Sequence, residues 1–85
     1  MISEKALVEI IVPAAGEKYD VYIPLASRMS DVIKLVSQAL SDLSNGKYKA
    51  TDEAILCDAD TGIIFNVNME VVELGIKNGS RLMLI

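Results

Sequence analysis

The residues best equipped for chemistry sit together in the second half of the chain, in the run CDADTGIIFNVNME: Cys57, then Asp58 and Asp60, then Glu70. Spacing decides what they could do. A calcium loop places glycine at its sixth position and a bidentate glutamate at its twelfth, with a helix on each side. Counted from Asp58, glycine falls at the fifth position, as Gly62, Glu70 arrives one residue late, and no helical pattern flanks the segment. An acidic hairpin turn fits better. Cys57 stands where a strand residue belongs, and the chain has no histidine to take its proton, so the thiol reads as structural and inert. The missing histidine also removes the commonest general base and metal ligand. Asp58 and Asp60 share a turn with nothing to separate their pKa values. The two glycines of GIKNG, residues 75–79, lack phosphate-loop spacing and precede no helix. The expectation is a protein without catalytic residues, metal site or cofactor.

Bulk properties narrow the alternatives. The chain has 85 residues, 52% of them hydrophobic, with a net charge of −4 and a pI near 4.6. That length gives a single domain, residues 1–85, with a modest core and with residues 1–5 expected to fray. The acidic balance speaks against nucleic acid, which needs clustered Lys and Arg to release counterions, and against an anionic membrane surface. No apolar run reaches the roughly 18 residues of a bilayer span, and MISEKALVEIIVP is not built like a signal peptide. A lone cysteine excludes an internal disulfide and suits a reducing cytosol. The expected location is cytoplasmic.

The elements that would position a site follow from periodicity. Residues 6–13, ALVEIIVP, read as a strand with Val8, Ile10 and Val12 toward the core and Leu7, Glu9 and Ile11 opposite. Gly16 closes a turn into YDVYIPL, a second strand with Tyr19, Val21 and Ile23 on one face and Asp20 and Tyr22 on the other. A helix of about four turns follows, with Ser30 as N-cap, Asp31 complementing the dipole and Gly46 near the C-cap. Its expected apolar stripe is Val32, Ile33, Val36, Ala39, Leu40 and Leu43. KYKATDE is a polar loop. AILC and IIFNV are short strands around the DADTG turn, MEVVELG holds one helical turn, Asn78-Gly79 turns the chain, and RLMLI is the last strand. The order is β-β-α-β-β-β, an α+β roll with one helix packed on a mixed sheet whose last strand lies between earlier ones.

With no active site in view, surface is what remains. Away from the helix, Leu7, Ile11 and Tyr22 would share a face with Arg81, Met83 and Ile85 of the last strand, and Leu56 would join them. A contiguous exposed apolar area of this kind marks a protein contact.

The element order, SDVIKLV at the helix start and the closing ELGIKNGSRLMLI resemble ubiquitin, and so imply a β-grasp roll. In that pattern Val72 or Leu74 goes with Ile76, Lys77–Ser80 form the bend, and Leu82 and Leu84 point into the core. Among ubiquitin-like proteins the chain resembles the small bacterial YukD/EsaB family, accessory components of the type VII secretion system that exports WXG-motif proteins. LVEIIVPAAGEKYDVYIPLASRMSDVIKLV also resembles the ubiquitin-like domain at the start of that system's EccD-type membrane component.

The resemblance implies a cytosolic, non-enzymatic accessory role through protein contacts, with the secretion ATPase or membrane components as partners, no nucleic acid and no membrane insertion. Met83 and Ile85 match the last-strand positions of ubiquitin's hydrophobic patch and Leu56 its third-strand isoleucine; Leu7, Tyr22 and Arg81 come from the face assignment alone. Conjugating relatives and sulfur carriers end in Gly-Gly, whereas this sequence closes on Met83-Leu84-Ile85, so conjugation is not expected. The alternatives are a sulfur or protein carrier truncated before that tail, and the soluble N-terminal domain of a membrane secretion component. A homo-oligomer and the use of an edge strand for binding stay open. Two-iron ferredoxins share the β-grasp core but need four cysteine ligands, against one here.

Overall fold

β-Branched and apolar residues dominate the segment Lys5–Val12, which forms the eight-residue strand β1 in the computed structural model; the structure describes residues 4–85. Val8, Ile10 and Val12 are buried, and Leu7, Glu9 and Ile11 face the other way, as a period of two requires. Of the residues expected to fray, 1–3 lie outside the described residues. Glu4 accepts a hydrogen bond from the Leu25 amide at 3.1 Å, and Lys5 already belongs to the sheet. A 3₁₀ turn over Pro13–Ala15 is closed by Gly16 at φ 65°, a left-handed value that glycine adopts without a Cβ penalty. The chain then returns as β2, Glu17–Pro24, antiparallel to β1 over its whole length.

The helix α1 spans Met29–Leu43. Its cap differs from the sequence expectation. Ser30 lies inside the first turn, Arg28 is the N-cap, and no side chain caps the helix. The free amides are met instead by backbone from far along the chain: Met29 N–H donates to the Met69 carbonyl at 2.9 Å and Ser30 N–H to that of Val67 at 3.0 Å. Asp31 stands in the first turn as expected. At the other end Ser44 is the C-cap, followed by Asn45 and Gly46, both at positive φ. The buried stripe is Met29, Val32, Val36, Ser37 and Leu40, with Ile33 partly buried; Ala39 and Leu43 are exposed.

β3 (Leu56–Asp58) and β4 (Arg81–Leu84) complete the sheet in the order β2–β1–β4–β3. β4 runs parallel to β1 and antiparallel to β3, so the last strand does lie between earlier ones. The expected strand over 63–67 shrinks to one bridge between Cys57 and Ile64. Its backbone is used elsewhere: the Ile63 carbonyl closes the turn from Asp58, and the Val67 carbonyl serves the start of α1. The short turn expected in MEVVELG is a 3₁₀ turn over Val71–Leu74, tied by Val71 and Val72 amides to the carbonyls of Ser27 and Leu25.

One hydrophobic cluster lies between α1 and the inner face of the sheet, built from Met29, Val32, Val36 and Leu40 of the helix and Val8, Ile10, Ile23, Leu82 and Leu84 of the strands. Each large side chain fully buried there stabilises by about 1.5–3 kcal/mol. Of the two residues the pattern allowed beside the buried Ile76, Leu74 packs on this cluster and Val72 is exposed. Tyr48 is buried within the segment expected to be a polar loop. Its hydroxyl lies 2.9 Å from Ser37 Oγ, which also accepts the Thr51 amide at 3.2 Å. This buried polar pair holds residues 48–51 against α1.

Candidate functional site

Residues paired directly across neighbouring strands carry their side chains on the same face, so the register maps the sheet face away from α1. One row runs Lys18, Ile11, Met83, Cys57, Ile64 from β2 to the bridge beyond β3. The next contains Asp20, Glu9 and Arg81, and the one beyond it Tyr22 and Leu7. Below the first row, Ile85 and Ile55 exchange backbone hydrogen bonds of 2.9 and 3.0 Å. The face therefore has an apolar end and a smaller hydrophobic corner, separated by charge.

The apolar end gathers Ile11, Met83, Ile64, Ile85 and Ile55. Ile64 and Ile85 are each 61% exposed, so this end of the face presents neighbouring apolar side chains to solvent. Cys57 lies in the same row but is buried, its Sγ 3.7 Å from the Met83 carbonyl oxygen. Burial first, and the neighbouring Asp58 second, push this thiol above its ordinary pKa, which disfavours the reactive thiolate.

The charged row centres on Arg81. Its Nε donates to Glu9 Oε2 at 3.1 Å and its guanidinium NH1 to Asp60 Oδ1 at 2.9 Å, while Lys18 Nζ lies 3.5 Å from Glu9 Oε1. The Arg81 hydrogen bond, with help from Lys18, holds the Glu9 carboxyl below the usual carboxylate range, and Glu9 in turn raises Arg81. Asp60 reaches Arg81 because Asp58 shapes the turn: its Oδ1 accepts the amides of Asp60 and Thr61 at 2.8 and 3.0 Å. The acidic turn thus folds around its own backbone. Among the described residues no three His, Cys, Asp or Glu side chains are grouped to hold a metal ion.

Of the seven residues expected on this face, Ile11, Met83 and Ile85 sit together at the apolar end. Arg81 occupies the dividing row, and Leu7 and Tyr22 pair at the far corner. Leu56 is a correction. It is 1% exposed and stands opposite Leu84 on the inner face, so it belongs to the core. The outer-face residue of β3 is its neighbour Cys57, a register difference of one that exchanges the two sides. Ile55 and Ile64 are the members that sequence reasoning missed. A signal existed in the density of isoleucine around the DADTG turn, with Ile55, Ile63 and Ile64 all more than a third exposed.

No family model matches this chain, and no curated protein is similar to it in sequence at a significant level. Solved structures are. The ubiquitin-like domain of the Mycobacterium tuberculosis type VII secretion system protein ECCD1 superposes with a TM-score of 0.76 at 16% identity, covering 96% of this chain and 98% of that one. The EccD5 ubiquitin-like domain of Mycobacterium xenopi gives 0.78 at 20% identity over 96% and 93%. A chain of the MycP5-free ESX-5 inner membrane complex gives 0.78 at 16% identity, with 95% of this chain matching 20% of that longer one. The fold is ubiquitin-like: one helix on a mixed four-stranded sheet.

Proposed function

We propose that this ubiquitin-like domain is a non-enzymatic adaptor of a bacterial type VII secretion system, acting at the cytoplasmic side of the membrane through protein contacts. The observation that carries the reading is the row Ile11–Met83–Ile64 with Ile85 and Ile55 beside it, an exposed apolar area on a rigid sheet. The fold it shares with the ubiquitin-like domains of ECCD1 and EccD5 supports the secretion context. The partners are the secretion ATPase or membrane components of the machine, recognised by an apolar patch of their own.

The test is affinity capture on detergent-solubilised membranes of the source bacterium, comparing the native chain with a Met83→Asp, Ile85→Asp double variant. Both side chains lie on the outer face, so the variant should keep its thermal midpoint within a few degrees. Recovery of a type VII ATPase or membrane component by the native chain and not by the variant supports the proposal. Recovery of an adenylating enzyme instead favours a sulfur or protein carrier. No specific recovery sinks the adaptor reading, and a collapse of folding would place both side chains in the core.

A second reading is that the chain is the front domain of a longer membrane component, favoured by its match to a fifth of a chain in the ESX-5 inner membrane complex, 20% by length. The gene's reading frame beyond Ile85 separates the two.

A further inference from the structure

A groove that no strand residue lines runs along α1, between the helix and the segment 50–54. Ser30, Ile33, Lys34, Ser37 and Gln38 recur at helical spacing and form its helix wall. Ala50, Thr51, Asp52 and Ala54 form the facing wall, and Val67 closes the end beside the helix start. Lys34, Thr51 and Asp52 border both halves, so the groove is continuous. Three hydrogen bonds hold the walls in place. Ser30 N–H donates to the Val67 carbonyl at 3.0 Å, Thr51 N–H donates to Ser37 Oγ at 3.2 Å, and the Tyr48 hydroxyl lies 2.9 Å from the same oxygen. Ser37 is buried, so this tie forms part of the floor. Walls fixed before a ligand arrives lose little freedom when it binds.

The lining decides what fits. At the end near the helix start, Ile33, Ala54 and Val67 make an apolar subsite, with Val67 largely open to solvent. Where the halves meet, Lys34 stands on the helix wall and Asp52 on the loop wall. Neither has an ion-pair partner among the described residues. An ammonium group only donates hydrogen bonds and a carboxylate only accepts them. A trans peptide unit carries its C=O and its N–H on opposite sides, so one unit lying along the groove can meet both walls at once. A carboxylate there would face the like charge of Asp52, and an ammonium group that of Lys34. From Ser30 to Gln38 the helix axis advances about 12 Å, room for about four residues of extended chain.

We infer that this groove binds an extended, uncharged segment of a partner protein by its backbone, with a peptide oxygen on Lys34, a peptide N–H on Asp52 and a neighbouring apolar side chain against Ile33, Ala54 and Val67. The Lys34–Asp52 bracket reads the peptide unit, which every sequence shares, and the apolar subsite supplies the selectivity. None of these residues belongs to the outer face of the sheet, and the contact does not depend on the secretion reading.

The experiment is a titration of the ¹⁵N-labelled chain, followed by amide shifts, with a capped tetrapeptide of alanine containing one valine, up to about 10 mM. The comparison ligand is the same peptide N-methylated at its backbone amides, which keeps the apolar side chain and removes the donors. The first peptide should give saturable shifts at Lys34, Gln38, Asp52 and Val67, and the N-methylated one should bind about tenfold more weakly or not at all. Lys34→Asp alone or Asp52→Lys alone should weaken binding by about tenfold, because each leaves two like charges facing each other across the groove. The double variant exchanges donor and acceptor between the walls, and a peptide unit turned end for end fits it, so binding should return. Met83→Asp with Ile85→Asp should bind as the native chain does, which separates this surface from the outer face. Equal binding of the two peptides, indifference to both single variants, no recovery in the double variant, shifts confined to the outer face, or no saturable shift would each overturn the inference. Lys34 and Asp52 are exposed, and an amide spectrum of each free variant that matches the native one away from the substitution confirms that it is folded.

Discussion

Leu56→Ala and Ile64→Ala form a matched pair that tests the register on which the whole outer face depends. Leu56 is 1% exposed and faces Leu84 inside the sheet, whereas Ile64 is largely in solvent one strand position beyond Cys57. Truncating Leu56 removes buried carbons and leaves a cavity that a close-packed core closes only in part, so the expected loss is about 2–5 kcal/mol. A domain of this size holds only about 4–13 kcal/mol in total. At about 4–8 °C per kcal/mol, Leu56→Ala should lower the midpoint by at least about 8 °C. Truncating Ile64 removes contacts mainly with water, and its stability should stay within about 0.5 kcal/mol. Urea unfolding followed by far-ultraviolet circular dichroism is the suitable assay, since the chain has no tryptophan to report by fluorescence. A loss above about 2 kcal/mol for Ile64→Ala together with less than about 1 kcal/mol for Leu56→Ala would refute the reasoning, because β3 would then lie one residue out of register. Its outer face would carry Leu56 in place of Cys57.

The buried pair between α1 and the following loop yields a graded prediction. Tyr48→Phe leaves Ser37 Oγ bonded to the Thr51 amide and should cost about 0.5–1.5 kcal/mol, whereas Ser37→Ala strands both the Tyr48 hydroxyl and that amide and should cost about 1–3 kcal/mol; denaturant unfolding of the two variants checks the order. The ion network gives a pH dependence. Because Arg81 depresses the folded-state pKa of Glu9, its stabilising contribution is present above the ordinary carboxylate pKa and is lost as pH falls through the depressed value. Arg81→Gln should move the Glu9 carboxyl, followed by its side-chain carbon resonance, back up toward the usual range and flatten the acid limb of stability.

Much of this arrangement is legible in the residues alone. β1 and β2 are each eight residues long, so Val8, Ile10 and Val12 state the parity of β1 repeatedly, and Tyr22 is assigned to the outer face by the same repetition. α1 announces itself through Val32, Val36 and Leu40 at helical spacing, and β4 through Leu82 and Leu84 between Arg81 and Met83. A period repeated several times leaves one way to bury the apolar set. Other features were decided by tertiary structure. β3 is three residues long and its first two, Leu56 and Cys57, are both apolar and both buried, so no alternation tells the inner face from the outer. Residues 63–67 have the β-branched content of a strand, but the Val67 carbonyl bonds to the first turn of α1 and leaves the segment a single bridge. The same contact removed the need for a capping side chain at Ser30. Local sequence expresses what a segment prefers when alone; which backbone groups remain free to pair depends on residues that folding brings in from dozens of positions away.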